Sequence, residues 1–248
     1  MPQQITFYTA KVCPAGLRVE MALRETKAEY TRYIIDLTAK PEWFSSRVNP
    51  VSGKVPAIAY GGPPTAPDDP SPESAKLIES LVLVEFVADL FPSSTIRPKD
   101  PVECAQARIF VDAVNTKFLA AYVGASQGGV WEPLWDALDA LQKLLTPGKK
   151  YAISDEFTNA DIAFLTLFAY MEVWLRNDLG AFPPGEGLKG AEYLFGGERF
   201  TKLLEYYERL KQRESFKQSF DANLVKEVHI QYYAAARAQF LEAAAAKP

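Results

Sequence analysis

Short apolar runs and amphipathic stretches alternate over the first part of the chain, up to about residue 90. Two stretches with apolar residues at helical spacing predict helices at 14–25 and 80–90. Four short runs of apolar, β-branched and aromatic residues are predicted as strands, at 5–9, 33–37, 55–60 and 76–78. This order of elements predicts a small mixed sheet covered by helices.

After residue 100 the pattern is helical, with helices predicted at about 101–123, 131–146, 158–177, 199–214 and 220–246. Asp100-Pro101 opens the first of them, and Thr158 to Asp161 forms a capping box ahead of an apolar run. Residues 93–100 are interpreted as a linker. The sequence therefore predicts an α/β domain over 1–92 and an all-α domain over 93–248.

The composition is that of an ordinary globular protein, with 248 residues of which 48% are hydrophobic and 23% charged. A formal net charge of −4 without a Lys/Arg cluster argues against nucleic acid and anionic membrane surfaces as partners. The longest apolar stretch, 162–171, is too short to span a bilayer. The opening Met-Pro-Gln-Gln does not resemble a secretory signal. No membrane association is expected.

Cysteine and histidine are scarce in the chain, which contains Cys13, Cys104 and His229. Two cysteines make no disulfide framework, so a reducing cytoplasmic location is expected. A single histidine excludes multi-histidine metal sites, and no metal is expected. His229 is interpreted as a surface residue of the helical tail, and Cys104 as a packed helix residue.

Cys13 is the strongest chemical candidate because it stands where the first strand gives way to a helix. Pro14 is tolerated at the first helical position, which makes Cys13 the N-cap residue. The unpaired N–H groups of the first turn and the helix dipole would favour the reactive thiolate there. Lys11 would add a nearby cation if its side chain turns inward. The alternative is a buried and inert cysteine.

A second set of groups follows at Val55-Pro56 and Glu79-Ser80. Proline at a strand start cannot donate to the ladder, and a cis bond there would turn the Val55 backbone toward a peptide-like ligand. The sequence alone favours the trans bond. Ser80, placed to cap its helix, would bind a carboxylate, and Glu79 would bind an ammonium group. Glutathione carries a thiol, a peptide backbone, a carboxylate and an amine, and would satisfy Cys13, Val55, Ser80 and Glu79 together.

The segment from Gly61 to Pro72 contains five prolines, two glycines and two acids. It is longer than a hairpin connection needs, so it is interpreted as an irregular, mobile surface insertion. No chemistry is assigned to it.

Several motifs keep a common order along the chain: Cys-Pro-Ala-Gly-Leu-Arg-Val-Glu at 13–20, Lys-Pro-Glu-Trp-Phe at 40–44, Asn49-Pro50, Lys54-Val55-Pro56, Glu79-Ser80, Phe91-Pro92, Asp100-Pro101 and Thr158 to Asp161. In these motifs the chain resembles the Omega class of glutathione transferases over essentially its whole length. The proline-rich insertion and the long tail are similar to fungal Omega-like members. The resemblance implies a thioredoxin-like N-terminal domain, an all-helical C-terminal domain and a homodimer.

The resemblance also implies roles for individual residues. Cys13 matches the cysteine that forms a mixed disulfide with glutathione, and Lys40 matches the lysine that pairs with the glycine carboxylate. Val55 precedes the proline that is cis in the family and meets the cysteinyl backbone, while Glu79 and Ser80 hold the γ-glutamyl end. The expected glutathione-binding residues are Lys40, Lys54, Val55, Pro56, Glu79 and Ser80.

Ala15 departs from the family pattern, which usually has an aromatic residue directly after Cys-Pro. The missing ring opens space above the sulfur, and Gly16 loosens the first helical turn by about 1 kcal/mol relative to alanine. A hydrophobic co-substrate is expected between the domains, facing Cys13. Its walls are predicted to include Ala15, Phe118, Tyr122 and Trp131, although the last three also suit the core.

Tyr8 is a rival to Cys13, since other transferase classes use a tyrosine near this position to hydrogen-bond the thiolate of glutathione. The alternative for Tyr8 is a strand residue packed in the core.

Three functions fit the sequence. The first is a glutathione-dependent thiol transferase that acts through a Cys13 mixed disulfide and needs an external thiol, because only one cysteine lies near the site. The second is a carrier that keeps the glutathione site but mainly binds hydrophobic aromatic compounds such as polyphenols. The third is a regulatory or membrane-inserting relative of the same fold.

Overall fold

A computed structural model describes residues 3–245 of the chain, apart from the side chain of Ala244. The chain divides into two compact units between Arg97 and Pro98, within the segment interpreted above as a linker. The first unit contains a four-stranded mixed sheet with helices, and the described part of the second contains helices. The predicted fold class, thioredoxin-like followed by all-helical, is confirmed.

The sheet of the first unit has the strand order β2-β1-β3-β4. The strands are β1 (Ile5–Thr9), β2 (Thr31–Ile34), β3 (Ala57–Tyr60) and β4 (Ala75–Ile78). β1 pairs with β2 in parallel, and β1–β3 and β3–β4 are antiparallel. Helices α1 (Pro14–Glu25) and α2 (Ser80–Leu90) pack against each other, and both match the predicted bounds.

β2 differs from its predicted bounds at both ends, and β3 and β4 differ at their starts. β2 was expected at 33–37 but ends at Ile34. Its continuation is turned by Asp36, whose carboxylate accepts hydrogen bonds from the backbone N–H and the hydroxyl of Thr38. β3 begins at Ala57 rather than residue 55, because the ladder starts after Pro56, which has no N–H to donate.

A π-helical turn at Phe44–Val48 was not predicted. It buries Phe44 and Val48 against the sheet. The turn that follows is held by Asn49, whose side-chain N–H groups donate to Ser52 Oγ at 3.0 Å and to the Lys54 carbonyl at 2.8 Å. This buried amide therefore fixes the chain that leads into Val55.

The proline-rich segment between β3 and β4 is anchored to the first unit, contrary to the expectation of a mobile insertion. The Tyr8 hydroxyl donates to the Pro67 carbonyl at 2.8 Å, and Arg47 pairs with Asp69 at 2.6 Å. At the end of the segment the Lys76 ammonium donates to the Ser71 carbonyl at 2.6 Å and to the Ser74 carbonyl at 2.9 Å. These contacts cross from three different elements, so the segment is part of the packed structure.

The second unit differs from the predicted helices in two helices that were missed and in several bounds. The described helices are α3 (Pro101–Ala113), α4 (Leu119–Ser126), α5 (Glu132–Leu144), α6 (Asn159–Arg176), α7 (Glu186–Gly196), α8 (Thr201–Lys211), α9 (Glu214–Lys217) and α10 (Ala222–Ala245). A π-helical turn at Val114–Phe118 interrupts the helix predicted over 101–123. α7 and α9 were not predicted, and the expected last residue of the final helix, Ala246, lies outside the described residues.

α6 is the central helix of the second unit, and the predicted capping box at its start is present. Asp161 is fully buried and accepts hydrogen bonds from the Ala152 N–H at 2.9 Å, the Thr158 N–H at 2.7 Å and the Tyr206 hydroxyl at 2.7 Å. These bonds join the start of α6 to the preceding loop and to α8.

His229 on α10 is half-buried, so its interpretation as a surface residue is wrong. Its ring packs near Tyr170 and Tyr233. Burial lowers the pKa of His229 below its ordinary value. Among the described helices, none has the length and apolar character needed to traverse a bilayer.

Candidate functional site

The groups predicted to bind glutathione lie at one edge of the first unit's sheet. Tyr8 on β1 pairs with Ala57 on β3, and Ala57 pairs with Ile78 on β4. The end of β1, the start of β3 and the end of β4 therefore meet at the same edge. Cys13 follows the first, while Val55-Pro56 and Glu79-Ser80 adjoin the other two.

Cys13 is the N-cap of α1, as predicted, and its side chain is partly buried. Its backbone is extended, and Pro14 takes the first helical position. The sulfur accepts a hydrogen bond from the Gly16 N–H at 3.2 Å. A sulfur in this position is stabilised as an anion by the free N–H groups of the first turn.

Burial nevertheless raises the pKa of the Cys13 thiol above its ordinary value. Removal from water outweighs three effects that lower this pKa, namely the N–H groups of Gly16 and Ala15 and the charge of Arg18. Burial therefore opposes the ionisation of the sulfur that its position at the helix N-terminus favours. Lys11 is exposed, and the cation that acts on the sulfur is Arg18.

Gly16 is required by close packing of α1 on β1. A Cβ atom at this position would lie 2.1 Å from Thr9 Oγ1 and 3.4 Å from Cys13 Cβ. Since Thr9 is buried, any side chain at Gly16 would push the first turn of α1 away from the sheet. Ala15, the departure from the family pattern, is half-buried beside the sulfur.

The Val55-Pro56 peptide bond is cis, so the trans bond favoured by the sequence alone is wrong and the isomer implied by the resemblance is present. Within residues 3–245 the Val55 N–H and carbonyl have no hydrogen-bond partner. Lys40 lies beside this turn, where its ammonium donates to the Gly53 carbonyl at 2.6 Å. Lys54 is exposed next to it.

Glu79 rather than Ser80 is the N-cap residue of α2, so the predicted cap is corrected by one position. Glu79 has φ 71° and ψ 110°, a conformation that a non-glycine residue rarely adopts and that is typical of functional sites. Ser80 is the first residue of the helix, and its hydroxyl accepts a hydrogen bond from Arg18 Nη1 at 3.4 Å. The first N–H groups of α2 stay available to a carboxylate beside the exposed Glu79 side chain.

Tyr8 is placed as a core residue, the alternative stated for it. Its side chain is 0% exposed and packs against Tyr33, Trp43 and Phe44. Burial is the main cause that raises its pKa to about 12, and its hydroxyl is engaged by Pro67. In this arrangement the phenol is committed to the proline-rich segment.

The predicted co-substrate residues of the second unit lie in its aromatic core. Phe118 is fully buried against Phe164 and Phe168, and Tyr122 is buried against Trp174. Trp131 is half-exposed and stacks on Trp135 and Trp174. Of the three, Trp131 is the residue with surface available to a ligand.

Two residues of the site were missed by sequence reasoning. Arg18 lies in the apolar run of α1 between Leu17 and Val19, a position that forces a charged residue into the interior. That placement was the signal that could have singled it out. Asn49 was quoted as a motif residue, but its role in fixing the turn before Val55 was not predicted.

No group of three or more metal-binding side chains occurs among the described residues.

Residues 12–90 match the family described as "Glutathione S-transferase, N-terminal domain". The chain is 47% identical to glutathione transferase Omega 1C from Trametes versicolor, whose crystal structure superposes with a TM-score of 0.91 over 95% of this chain and 98% of that one.

Two further relatives extend the comparison. Glutathione transferase Omega 2S from Trametes versicolor, solved in complex with 2,4-dihydroxybenzophenone, is 38% identical with a TM-score of 0.83, over 92% of this chain and 96% of that chain. Pyrimidodiazepine synthase from Drosophila melanogaster is 29% identical over 84% of this chain and 77% of its own length.

The fold and its relatives thus define a glutathione transferase with a thioredoxin-like domain followed by helices, and the chain belongs to the glutathione transferase family. Its solved relatives place it in the Omega class, as the resemblance of its motifs implied. Glutathione is the co-substrate of this family.

Proposed function

We propose that this glutathione transferase acts as a glutathione-dependent thiol transferase in which Cys13 is the nucleophile. The observation that carries the proposal is the sulfur of Cys13 at the start of α1, at the sheet edge that also holds Val55 and the start of α2. A cysteine at a helix N-terminus is the usual setting of a reactive thiol.

In the first step the Cys13 thiolate attacks the glutathionyl sulfur of a mixed disulfide. A sulfur–sulfur bond forms between Cys13 and glutathione, and the substrate leaves as a thiolate. In the second step the thiolate of a second glutathione attacks this bond, so that glutathione disulfide forms and Cys13 leaves as the thiolate. Cys104 is not required, and its thiol donates to the Pro98 carbonyl at 2.7 Å.

Glutathione would be bound through charges and backbone groups of the first unit. Lys40 and Lys54 would meet the glycine carboxylate, and the unpaired N–H and carbonyl of Val55 would pair with the cysteinyl backbone. The first N–H groups of α2, with Ser80, would bind the γ-glutamyl carboxylate, and the exposed carboxylate of Glu79 would bind its ammonium group.

The test uses the mixed disulfide of glutathione and 2-mercaptoethanol as substrate. Cys13→Ser is expected to lower kcat by at least about a hundredfold, while the matched variant Cys104→Ser keeps the wild-type rate. Mass spectrometry after incubation with glutathione disulfide is expected to find one glutathionyl group, on the Cys13 peptide. Equal rates for Cys13→Ser and wild type would remove Cys13 from the mechanism.

Lys40→Met tests the glutathione contacts separately. Loss of the ammonium is expected to raise KM for glutathione about tenfold with little change in kcat, because a ground-state contact is removed. Lys99→Met is the control, since this lysine is exposed and belongs to the second unit. An unchanged KM in Lys40→Met would contradict the assignment.

Binding of hydrophobic aromatic compounds is the second candidate function. It is favoured by the small Ala15 beside the sulfur, by the partly exposed Trp131, and by the 2,4-dihydroxybenzophenone complex of the Trametes versicolor relative. We expect this compound to raise the melting temperature and to quench tryptophan fluorescence, with weaker quenching in Trp131→Phe. Stabilisation without turnover would make carriage the main function, and no effect at the solubility limit would exclude it.

We also propose a homodimer in a reducing cytoplasm, as is usual for the family. Exposed apolar side chains suit a protein interface: Val82 on α2, and Val102 and Ile109 on α3. Light scattering after size exclusion is expected to give twice the 27.6 kDa mass of the chain. A monomer at micromolar concentration would refute the proposal.

A further inference from the structure

Arg18 is a buried cation that has no carboxylate partner among the described residues. Its side chain lies on α1 with the residue only 5% exposed. No Asp or Glu of residues 3–245 forms an ion pair with it. Its one hydrogen bond in that range joins Nη1 to the neutral Ser80 hydroxyl, and the buried Nε has no acceptor.

Glu20, two residues further along α1, is a buried charge that does have ion-pair partners, in contrast to Arg18. Glu20 is equally buried but forms ion pairs with Arg24 at 3.1 Å and Arg32 at 3.2 Å. A buried charge without a partner is strongly destabilising unless an anion pairs with it. The guanidinium of Arg18 is therefore available to pair with an anion other than the carboxylates of the described chain.

Cys13 is the acidic group that acts on Arg18. Its charge favours the protonated guanidinium, while burial lowers the pKa of Arg18 to about 10, so that the side chain remains a cation at neutral pH. In the other direction, the charge of Arg18 lowers the pKa of Cys13. Neighbouring elements contribute the neutral hydroxyls of Thr9 from β1 and Ser80 from α2 to this corner.

We propose that Arg18 is a positioning residue of the thiol-transfer reaction, whose buried guanidinium stabilises the anionic Cys13 sulfur and holds Ser80 at the start of α2. This inference rests on the proposed role of Cys13 as nucleophile. The Cys13 thiolate occurs twice in the cycle, as the attacking group and as the group that leaves when the second glutathione attacks. One cation thus favours both steps, and its hydrogen bond to Ser80 places it at the turn proposed to bind the γ-glutamyl carboxylate.

The test measures the ionisation of the Cys13 sulfur directly, by the pH dependence of iodoacetamide alkylation in a Cys104→Ser background. Arg18→Gln is expected to raise the alkylation pKa by about one unit, so that tenfold less thiolate is present at neutral pH. Arg24→Gln is the matched control on the same helix, because Arg24 pairs with Glu20. Its profile is expected to superimpose on that of the background protein.

Arg18→Lys is a second variant, which keeps the inference testable if Arg18→Gln does not fold. Arg18→Lys keeps the charge but loses the forked geometry, so its alkylation pKa is expected within about 0.3 units of the background while KM for glutathione rises. A full-unit shift in Arg18→Lys would contradict the role of charge. An Arg18→Gln profile identical to that of Arg24→Gln would overturn the inference.

The result is separable from the proposed function. Full thiol-transferase activity in Cys13→Ser would refute the function whatever the alkylation profile shows. An unshifted profile in Arg18→Gln would refute the role of Arg18 and leave the Cys13 chemistry standing.

Discussion

The N–H of Gly16 donates to the sulfur of Cys13 at 3.2 Å, and the same glycine packs directly against Thr9. Gly16→Ala is expected to destabilise the protein by about 1–3 kcal/mol, because the new methyl group would overlap Thr9 Oγ1. It is also expected to slow alkylation of Cys13, since the first turn of α1 must shift. Urea unfolding and alkylation kinetics measure the two effects.

Gly124→Ala is the control for this substitution. Gly124 lies in α4, and a Cβ atom there would have no neighbour within 4 Å. It should stabilise the protein by about 0.5–1 kcal/mol, as alanine does in an open helical position. A Gly16→Ala protein as stable as Gly124→Ala would mean that the contact with Thr9 is easily relieved.

Tyr8→Phe separates a structural tyrosine from a catalytic one. Loss of the hydrogen bond to Pro67 is expected to reduce the free energy of unfolding by about 0.5–1.5 kcal/mol. The value of kcat/KM for thiol transfer should stay unchanged, because the phenol is buried and its hydroxyl is engaged by the Pro67 carbonyl. Tyr33→Phe, in the same aromatic cluster, is the control. A large loss of activity in Tyr8→Phe alone would restore the rival role of this residue.

Asp161→Ala removes the carboxylate that joins α6, α8 and the loop before α6. Because at least three buried donors lose their acceptor, we expect a loss of about 2–4 kcal/mol in the free energy of unfolding. Asp155→Ala is the comparison, since this exposed carboxylate pairs with Lys149 in solvent and its loss should lower the stability much less. Similar melting temperatures for the two variants would contradict the network.

His229 gives the stability of the protein a pH dependence of known sign. Burial lowers its pKa in the folded protein below the unfolded value of about 6.5, so the unfolded chain binds the proton more readily. The stabilising contribution of neutral His229 is therefore complete above that value and is lost as the pH falls below it.

The comparison with His229→Gln isolates this effect, because His229 is the single histidine of the sequence. Wild type is expected to be the more stable protein at pH 7.5, and the difference in melting temperature should shrink toward pH 5.5. Carboxylates titrate in both proteins and cancel in the difference. A difference that grows on acidification would show that the folded protein favours the charged imidazole.

Local patterns predicted the elements that carry the site. Pro14 and the apolar spacing placed α1, and the stripe through Leu81, Val84 and Val87 placed α2, each with its observed bounds. The capping box at Thr158 placed the start of α6. In these segments the local signals and the tertiary structure agree, which is why sequence reasoning succeeded.

Tertiary packing overrode local propensity where the predictions failed. α7 was missed because glycine is a poor helix former, yet Gly190 is needed where the helix meets Trp131, which a Cβ atom would approach to 2.4 Å. The cap of α2 was misplaced because Glu79 adopts a positive φ that propensity disfavours. The burial that opposes ionisation of Cys13 could not be judged from local sequence, because it depends on the whole fold.

Lys76 lies within β4, and its side chain anchors the end of the proline-rich segment. Its ammonium is surrounded by oxygens of Ser71 and Ser74, so the chain is already locked into register two residues ahead of Ile78 and the turn at Glu79. Insertions or deletions upstream of Ser71 would consequently leave the position of the ligand-binding edge unchanged. The segment is a place where the protein can acquire new surface features while its chemistry stays in place.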